Sequence, residues 1–371
     1  MCKHSRVQHV ALYGVALLSI AMVSAGPSRA QLRHNALPDQ TPPEMLNGIA
    51  MDEDGYLWVT DMTGSQLLQL EAPGTTIVAR YGRDEGVDGP DDLVIDPDFV
   101  YYTAAATLAG AVGKLDRRTG RATTLAATGI GTNPIAWGPD GKLLAGLSPA
   151  ASAELGVALG LTGLFEIEPV TGDFKLIVPD DKGINAFCFA PDGYVYGPHG
   201  LWGTDVLRID LHSGEVTSIH EVNMASSVRY NPRDQHLYAL ASETETRAIL
   251  VRMALDGSDY SVFARMSNQP NAFMTSADNF VIAPDGTFYV TRFLSPIITR
   301  ISADGTDIQD FPVGQASADA VRASRDLTQA DDIVAVAGAA ATPVKSPRTY
   351  DCVDVVIVRD SHRLVLEPEC S

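Results

Sequence analysis

Six small polar residues recur along the chain, each two positions ahead of a short apolar run. They lie roughly 40 to 50 residues apart, a period typical of repeat architectures. The set is Asn47, Asp91, Asn133, Asn185, Ser226 and Asp278. A hard cation such as calcium binds several neutral and anionic oxygens at about 2.3 to 2.6 Å. Asn, Asp and Ser also favour the turn before a strand, where they hydrogen-bond to the backbone. The pattern therefore predicts either a shared cation site or six similar strand entries.

A repeated hairpin motif follows each of these residues. It is an apolar strand, a turn rich in Asp, Pro and Gly, and a second strand with aromatic residues. The copies begin at Ile49, Leu93, Ile135, Phe187, Val228 and Phe280. A second hairpin then follows, with alternating strands around Gly74, Gly120, Gly172, Gly214, Gly257 or Gly305. Turn residues between stretches of period two indicate antiparallel hairpins.

Two hairpins per repeat make one four-stranded antiparallel sheet, which is too small to be stable alone. Six such sheets arranged radially bury one another's faces. We therefore predict an all-β fold, a six-bladed β-propeller over residues 47–314, with a lead-in at 31–46. A pair of β-sandwiches is the alternative, but it does not explain why the two hairpin patterns alternate strictly.

The first strand of each propeller blade lines the central channel, so the six polar residues are expected at one mouth of that channel. The predicted metal ligands are Asn47, Asp91, Asn133, Asn185 and Asp278. The second strand of each blade returns to the same mouth and brings Asp61 and His199 there. A metal ion polarises a carbonyl and lowers the pKa of a bound water, while His199 or Asp61 takes the proton. A loop histidine bonded to the backbone is the alternative for His199.

Composition and the N-terminus restrict the partners. The chain has 27 Lys and Arg against 46 Asp and Glu, and its formal charge of −19 disfavours nucleic acid and anionic lipid. An apolar run at 10–25 follows basic residues and precedes Ser28-Arg29-Ala30, which predicts a signal peptide over residues 1–30. The mature protein is then secreted or periplasmic, without stable membrane insertion. A single membrane anchor is the alternative, but the run is short for a span.

The remaining cysteines suit an oxidising compartment. Residues 315–371 are predicted to form a C-terminal tail whose final hairpin lies between Cys352 and Cys370, and these two are expected to form a disulfide. Cys188 lies within an apolar strand pattern and is expected to be a buried free thiol.

Three strand entries resemble those of the gluconolactonase, SMP-30 and paraoxonase superfamily. They are residues 129–137, 183–196 and 276–286, and the resemblance covers about residues 44 to 313. It implies a six-bladed propeller with calcium or another divalent ion held at the channel mouth by Glu, Asn and Asp side chains. It also implies hydrolysis of a small lactone or ester. By the resemblance, Asn133, Asn185 and Asp278 are ligands.

Two positions depart from the family pattern. Asn47 stands where the family has a glutamate, with Glu44 as the nearest acid, and Ser226 stands where it usually has an aspartate. A site with fewer carboxylates binds calcium less tightly. The resemblance favours a calcium-dependent lactonase or esterase. The alternative is a non-catalytic propeller that binds a protein, peptide or carbohydrate partner.

Overall fold

The computed structural model describes residues 39–314 except 106–109, 129–130, 148–161, 201–202, 245, 268–276 and 294. This part of the chain forms six antiparallel sheets, each of four strands that are consecutive in the sequence. The predicted all-β, six-bladed propeller is thus confirmed. The described residues also include two short 3₁₀ helices, Arg83–Glu85 and Pro139–Gly141.

Each blade takes its four strands in chain order, from the innermost to the outermost. Blades 1 to 3 comprise β1 Leu46–Met51, β2 Tyr56–Asp61, β3 Gln66–Glu71, β4 Thr76–Tyr81, β5 Pro90–Ile95, β6 Phe99–Ala104, β7 Val112–Asp116, β8 Arg121–Ala126, β9 Thr132–Trp137, β10 Leu143–Leu147, β11 Gly163–Ile167 and β12 Phe174–Val178. Blades 4 to 6 comprise β13 Cys188–Phe189, β14 Tyr194–Pro198, β15 Gly203–Asp210, β16 Val216–Ala225, β17 Ser227–Asn231, β18 His236–Thr244, β19 Arg247–Met253, β20 Ser261–Arg265, β21 Ala277–Ile282, β22 Phe288–Arg292, β23 Ile297–Ile301 and β24 Ile308–Pro312.

The first strands of the blades form a closed inner ring. β1 contacts both β5 and β21, and further contacts join β5 to β9, β9 to β13, β13 to β17 and β17 to β21. Within blade 1, Leu46 at the start of β1 pairs with Asp61 at the end of β2. The entries of the first strands and the ends of the second strands therefore lie at one end of the channel, which we call the channel mouth.

The repeated turn in the first hairpin has a specific hydrogen-bonding role. Its aspartate accepts a hydrogen bond from an aromatic residue of the second strand, as in Tyr196 Oη to Asp192 and Tyr238 Oη to Asp234, both at 2.7 Å. In blade 1 the donor is Trp58 Nε1, 2.9 Å from Asp52. A buried hydroxyl or indole needs such a partner, and this explains why Asp and an aromatic residue recur together.

Apolar side chains of neighbouring blades form the core between them. Trp58 and Leu67 of blade 1 pack with Leu93 and Val100 of blade 2 in one buried cluster. Burial of apolar area stabilises by about 25 cal/mol per Å². Each sheet therefore depends on its neighbours for stability, as the repeat analysis predicted.

The second hairpin of every blade turns at the predicted glycine. Gly74, Gly120, Gly172, Gly214, Gly257 and Gly305 have φ of 119°, 69°, 79°, 74°, 83° and 75°. All of these turns except that of Gly214 also pack against a neighbouring blade. A Cβ would lie 2.0 Å from Leu125 O at Gly172 and 2.1 Å from Ile219 O at Gly257, so only glycine allows that approach.

Both ends of the described chain meet at the outer strand of blade 1. The Gln40 side chain donates to Ile77 O at 2.9 Å and accepts from Ile77 N at 3.2 Å, as a neighbouring strand would do. Gly314 N donates to Thr75 O at 3.0 Å. A Cβ on Gly314 would lie 2.4 Å from Gln40 O, so the two ends are in direct contact.

Several predictions concern other parts of the chain. The signal peptide at 1–30, the tail at 315–371 and the Cys352–Cys370 disulfide lie outside the described residues. Within the described ranges, Cys188 is a buried free cysteine, as predicted, and burial raises the pKa of its thiol to about 12. No helix in the described ranges is long and apolar enough to cross a membrane.

Candidate functional site

The six polar strand-entry residues lie at the channel mouth. Asn47, Asp91, Asn133 and Asp278 are each the second residue of an innermost strand, whereas Ser226 directly precedes β17 and Asn185 lies three residues before the start of β13. All are buried except Asn133, which is partly exposed. The repeat therefore places them equivalently, as predicted from the spacing.

Two of these residues are carboxylates with an oxygen left unpaired. Asp91 is 1% exposed and Asp278 is 5% exposed. Asp91 Oδ1 and Asp278 Oδ2 have no hydrogen-bond partner among the described residues. Each buried, unpartnered charged oxygen costs free energy unless a proton or a cation compensates it.

Nearby carboxylates influence the ionisation of both residues. Burial raises the pKa of Asp91 well above its usual range, and the charges of Asp278 and Asp92 raise it further. Burial, followed by the charge of Asp92, raises the pKa of Asp278 to about 7. The Asn47 side chain acts in the opposite direction and lowers the pKa of Asp91. Blades 6, 1 and 2 thus present two carboxylates and an amide in one region.

Threonine hydroxyls on the second strands of blades 6, 1 and 2 link each of these blades to the first strand of the next blade. Thr291 Oγ1 of blade 6 donates to Asn47 O, and Thr60 Oγ1 of blade 1 donates to Asp91 O. Thr103 Oγ1 of blade 2 continues the series to Asn133 O. Each hydroxyl also accepts a backbone N–H within its own blade, for example Gly48 N to Thr60 Oγ1 at 2.7 Å. The backbone carbonyls at the mouth are therefore held by the neighbouring blade.

A polar network lies beside these carboxylates, one residue further along the strands. Asn279 Nδ2 donates to Asp92 Oδ1 at 2.8 Å, and Arg229 Nη2 donates to Asn279 Oδ1 at 2.7 Å. Burial raises the pKa of Asp92, and the charge of Arg229 opposes that rise. Asp92 is therefore compensated by a cation of the protein, in contrast to Asp91 and Asp278.

The predicted ligands Asn133 and Asn185 lie on blades 3 and 4. The hydrogen bonds described for them are made by the backbone: Asn133 O accepts from Thr103, and Asn185 N donates to Pro198 O at 3.3 Å. Their side-chain role in metal binding stays a prediction.

The two predicted bases have different surroundings. Asp61 is 1% exposed, and its carboxylate accepts hydrogen bonds from Met45 N at 3.1 Å and Gln66 Nε2 at 2.7 Å. It would have to give up these bonds to take a proton. The His199 side chain is 39% exposed, and its Nδ1 lies 3.8 Å from Asp205 Oδ2. His199 is therefore the more accessible of the two.

Sequence reasoning missed four polar residues near the mouth: Asp92, Asn279, Arg229 and Asp181. The doublets Asp91-Asp92 and Asp278-Asn279, and the lone charge of Arg229 within an apolar strand, were signals that could have pointed to three of them. Asp181 is fully buried, with Oδ2 lacking a hydrogen-bond partner in the described ranges. It lies in the connection between blades 3 and 4, outside the repeated hairpin motifs, so the repeat could not identify it.

The donor set at the mouth fits a hard divalent cation. The described residues contain no group of three or more His, Cys, Asp or Glu side chains that could hold a metal ion. Two carboxylates with unpaired oxygens and amide side chains are nevertheless the chemistry that calcium selects. The unpaired oxygens of Asp91 and Asp278 are the observation that supports this fit.

Comparisons with known proteins show the fold. The sequence matches no protein-family model and no curated protein. The structure is similar to virginiamycin B lyase from Staphylococcus aureus (16% identity over 74% of this chain and 86% of the lyase, TM-score 0.51). It is similar to regucalcin, a calcium-binding protein from Agrobacterium tumefaciens (16% identity, 77% of this chain and 88% of that chain, TM-score 0.50).

A gluconolactonase from Xanthomonas campestris is a further structural neighbour (14% identity, 70% of this chain and 85% of that chain, TM-score 0.51). The chain therefore has the six-bladed propeller fold of these proteins. The resemblance predicted from the strand entries is confirmed at the level of the fold.

Proposed function

We propose that the protein is a metal-dependent hydrolase of the lactonase or esterase type that acts at the channel mouth. The observation that carries the proposal is the pair of buried carboxylates, Asp91 and Asp278, each with an unpaired oxygen. The fold shared with a gluconolactonase and with calcium-binding regucalcin supports it. The predicted signal peptide supports action in a secreted or periplasmic setting.

In this proposal strand-entry residues at the channel mouth hold the ion, and Asp91 and Asp278 supply the carboxylate oxygens that lack partners among the described residues. A bound divalent ion would polarise the substrate carbonyl and make a water more acidic. Asp91 and Asp278 are buried, which strengthens their electrostatic interaction with a bound ion.

His199 is the proposed base. Asp205 faces Nδ1 of His199 at 3.8 Å, which leaves Nε2 to accept a proton from water. Asp61, the second predicted base, is bonded to Met45 N and Gln66 Nε2 and also serves to orient the turn after β2.

A binding propeller is the second candidate. One blade edge carries three exposed apolar side chains: Val170 is 80% exposed, Phe174 42% and Leu176 47%. Grouped exposed apolar residues are typical of interaction surfaces. This surface favours a protein or peptide partner over a carbohydrate.

The test is hydrolysis of an aryl ester and a γ-lactone by the purified chain. Under the proposal, a chelator abolishes turnover and added calcium restores it. Asp278→Asn should lower kcat/KM by about a hundredfold or more, because a ligand charge is lost. Asp140→Asn is the matched control, since Asp140 is exposed in the turn at the far end of β9. Turnover that is unchanged by the chelator contradicts metal dependence. The absence of turnover both with and without metal favours the binding propeller.

A further inference from the structure

Blade 1 has a glycine where blades 2 and 6 come together. Gly48 lies against Asp92 of blade 2, whose Oδ1 accepts a 2.8 Å hydrogen bond from Asn279 of blade 6. A Cβ on Gly48 would lie 2.7 Å from Asp92 Cα and 3.0 Å from Asp92 Oδ1. No larger residue fits there. Because Gly48 has no side chain, there is room beside it for the hydrogen bond between Asp92 of blade 2 and Asn279 of blade 6.

Both carboxylate oxygens of Asp92 accept hydrogen bonds. Its Oδ1 accepts from Leu93 N at 2.9 Å as well as from Asn279, and its Oδ2 accepts from Ile135 N at 3.3 Å. Arg229, bonded to Asn279, supplies the opposite charge. Asp92 has no need of a further cation.

Asp91 and Asp278 precede these two residues on the same strands and lack any such compensation. Their buried oxygens, Asp91 Oδ1 and Asp278 Oδ2, are without partners in the described part of the chain. Asn47 of blade 1 is buried and lies between them in the ring, because β1 contacts both β5 and β21. An amide oxygen is a neutral ligand for a hard cation.

We propose that Asp91, Asp278 and Asn47 form an off-axis calcium site on blades 6, 1 and 2, and that Asn133 and Asn185 are not ligands. This inference rests on the metal dependence of the proposed function. It places the ion to one side of the channel, where Gly48 allows the two acidic strands to approach. Asn133 and Asn185, on blades 3 and 4, then face the mouth as neutral groups available to a substrate.

Calorimetric titration of calcium chloride into the full chain tests the assignment without using activity. Asp91→Asn and Asp278→Asn should each weaken calcium binding by about tenfold or more, because ligand charge largely sets affinity. Asn133→Ala and Asn185→Ala are the matched controls at equivalent strand entries, and they should change the Kd by less than about twofold. Loss of calcium binding in either control would overturn the off-axis site.

A thermal melt in chelator shows that each variant is folded. Asp278→Asn should be at least as stable as the wild type without calcium, because the substitution removes a buried carboxylate with an unpaired oxygen. It should also gain less stability when calcium is added, since binding to the folded state alone raises stability by mass action.

Asn279→Ala provides a second variant that touches no ligand. It removes the Asn279–Asp92 bond that draws the two strands together and should weaken calcium binding, whereas unchanged binding would show that the contact does not shape the site. No uptake by the wild type at millimolar calcium contradicts the site itself. Uptake without lactone or ester turnover contradicts only the proposed hydrolase.

Discussion

Buried carboxylates at the channel mouth differ in what balances their charge. Asp92 is paired through Asn279 with Arg229, while Asp91 and Asp278 keep unpaired oxygens. Hydrogen bonds to Asn279 and the nearby charge of Arg229 mark Asp92 as a structural residue. The unpaired oxygens are the ones free to bind, and this difference separates the structural residues from the candidate ligands.

Asp181 is a further buried carboxyl with an unpaired oxygen. Its Oδ1 accepts from Gly183 N at 3.0 Å, and burial, against that hydrogen bond, raises its pKa to about 7. In the unfolded chain an aspartate ionises near pH 4. The folded state therefore holds a proton that the unfolded state has lost, and stability falls as the pH rises from about 4 to about 7.

Asp181→Asn should remove this pH-dependent cost. One pKa unit corresponds to about 1.4 kcal/mol, so the advantage of the variant should grow by about 2 to 3 kcal/mol between pH 5 and pH 8. Urea unfolding at the two pH values measures it. Asp180→Asn is the control, because Lys182 lowers the pKa of Asp180 and its charge is constant over this range. An equal effect of Asp181→Asn at both pH values would contradict the prediction.

At the scale of the elements, the outer hairpins differ in how they meet the preceding blade. Gly172 in blade 3 and Gly214 in blade 4 occupy equivalent turns with φ of 79° and 74°. A Cβ at Gly172 would lie 2.0 Å from Leu125 O, whereas nothing lies within 4 Å of one at Gly214. The two positions have the same left-handed backbone, but only Gly172 is in close contact with the preceding blade.

Gly172→Ala should therefore destabilise more than Gly214→Ala. A left-handed backbone costs about 1 to 2 kcal/mol for alanine at either site. The overlap with blade 2 should add about 1 to 3 kcal/mol at Gly172 alone. The free energy of unfolding in urea is the measurement, and equal losses would show that blade 3 can shift without cost.

At the scale of the whole molecule, the strands within residues 39–314 that the structure describes include none that is shared between the two ends of the ring. Every blade is built from four consecutive strands. Closure instead depends on contacts of β1 with β21 and on the terminal segments at the outer edge of blade 1. Gln40 provides a paired donor and acceptor for Ile77 at that edge.

Gln40→Ala should lower stability by about 1 to 3 kcal/mol, since two hydrogen bonds are lost and the Ile77 groups lose their partners. The melting temperature by circular dichroism reports the change. Gln309→Ala is the control, because this exposed side chain bonds only Asp307 in the described ranges. An unchanged melting temperature for Gln40→Ala would mean that the terminal segment does not stabilise the ring.

The blade pattern and the strand-entry residues were predictable from the sequence. Hairpins form from contacts a few residues apart, so Asp, Gly and alternating apolar residues specify them locally. The repeat then placed Asn47, Asp91, Asn133 and Asp278 at equivalent strand positions. The catalytic roles of His199 and Asp61 stay predictions, because a single strand end does not reveal what its side chain contacts.

The tertiary structure alone decided which polar groups meet. Asp92 and Asn279 are separated by 187 residues, and their contact depends on the missing side chain of Gly48. No local pattern encodes that approach, because it arises only when six sheets close around an axis. Sequence symmetry predicted six equivalent oxygen donors, whereas packing left two carboxylates unpaired on one side of the channel.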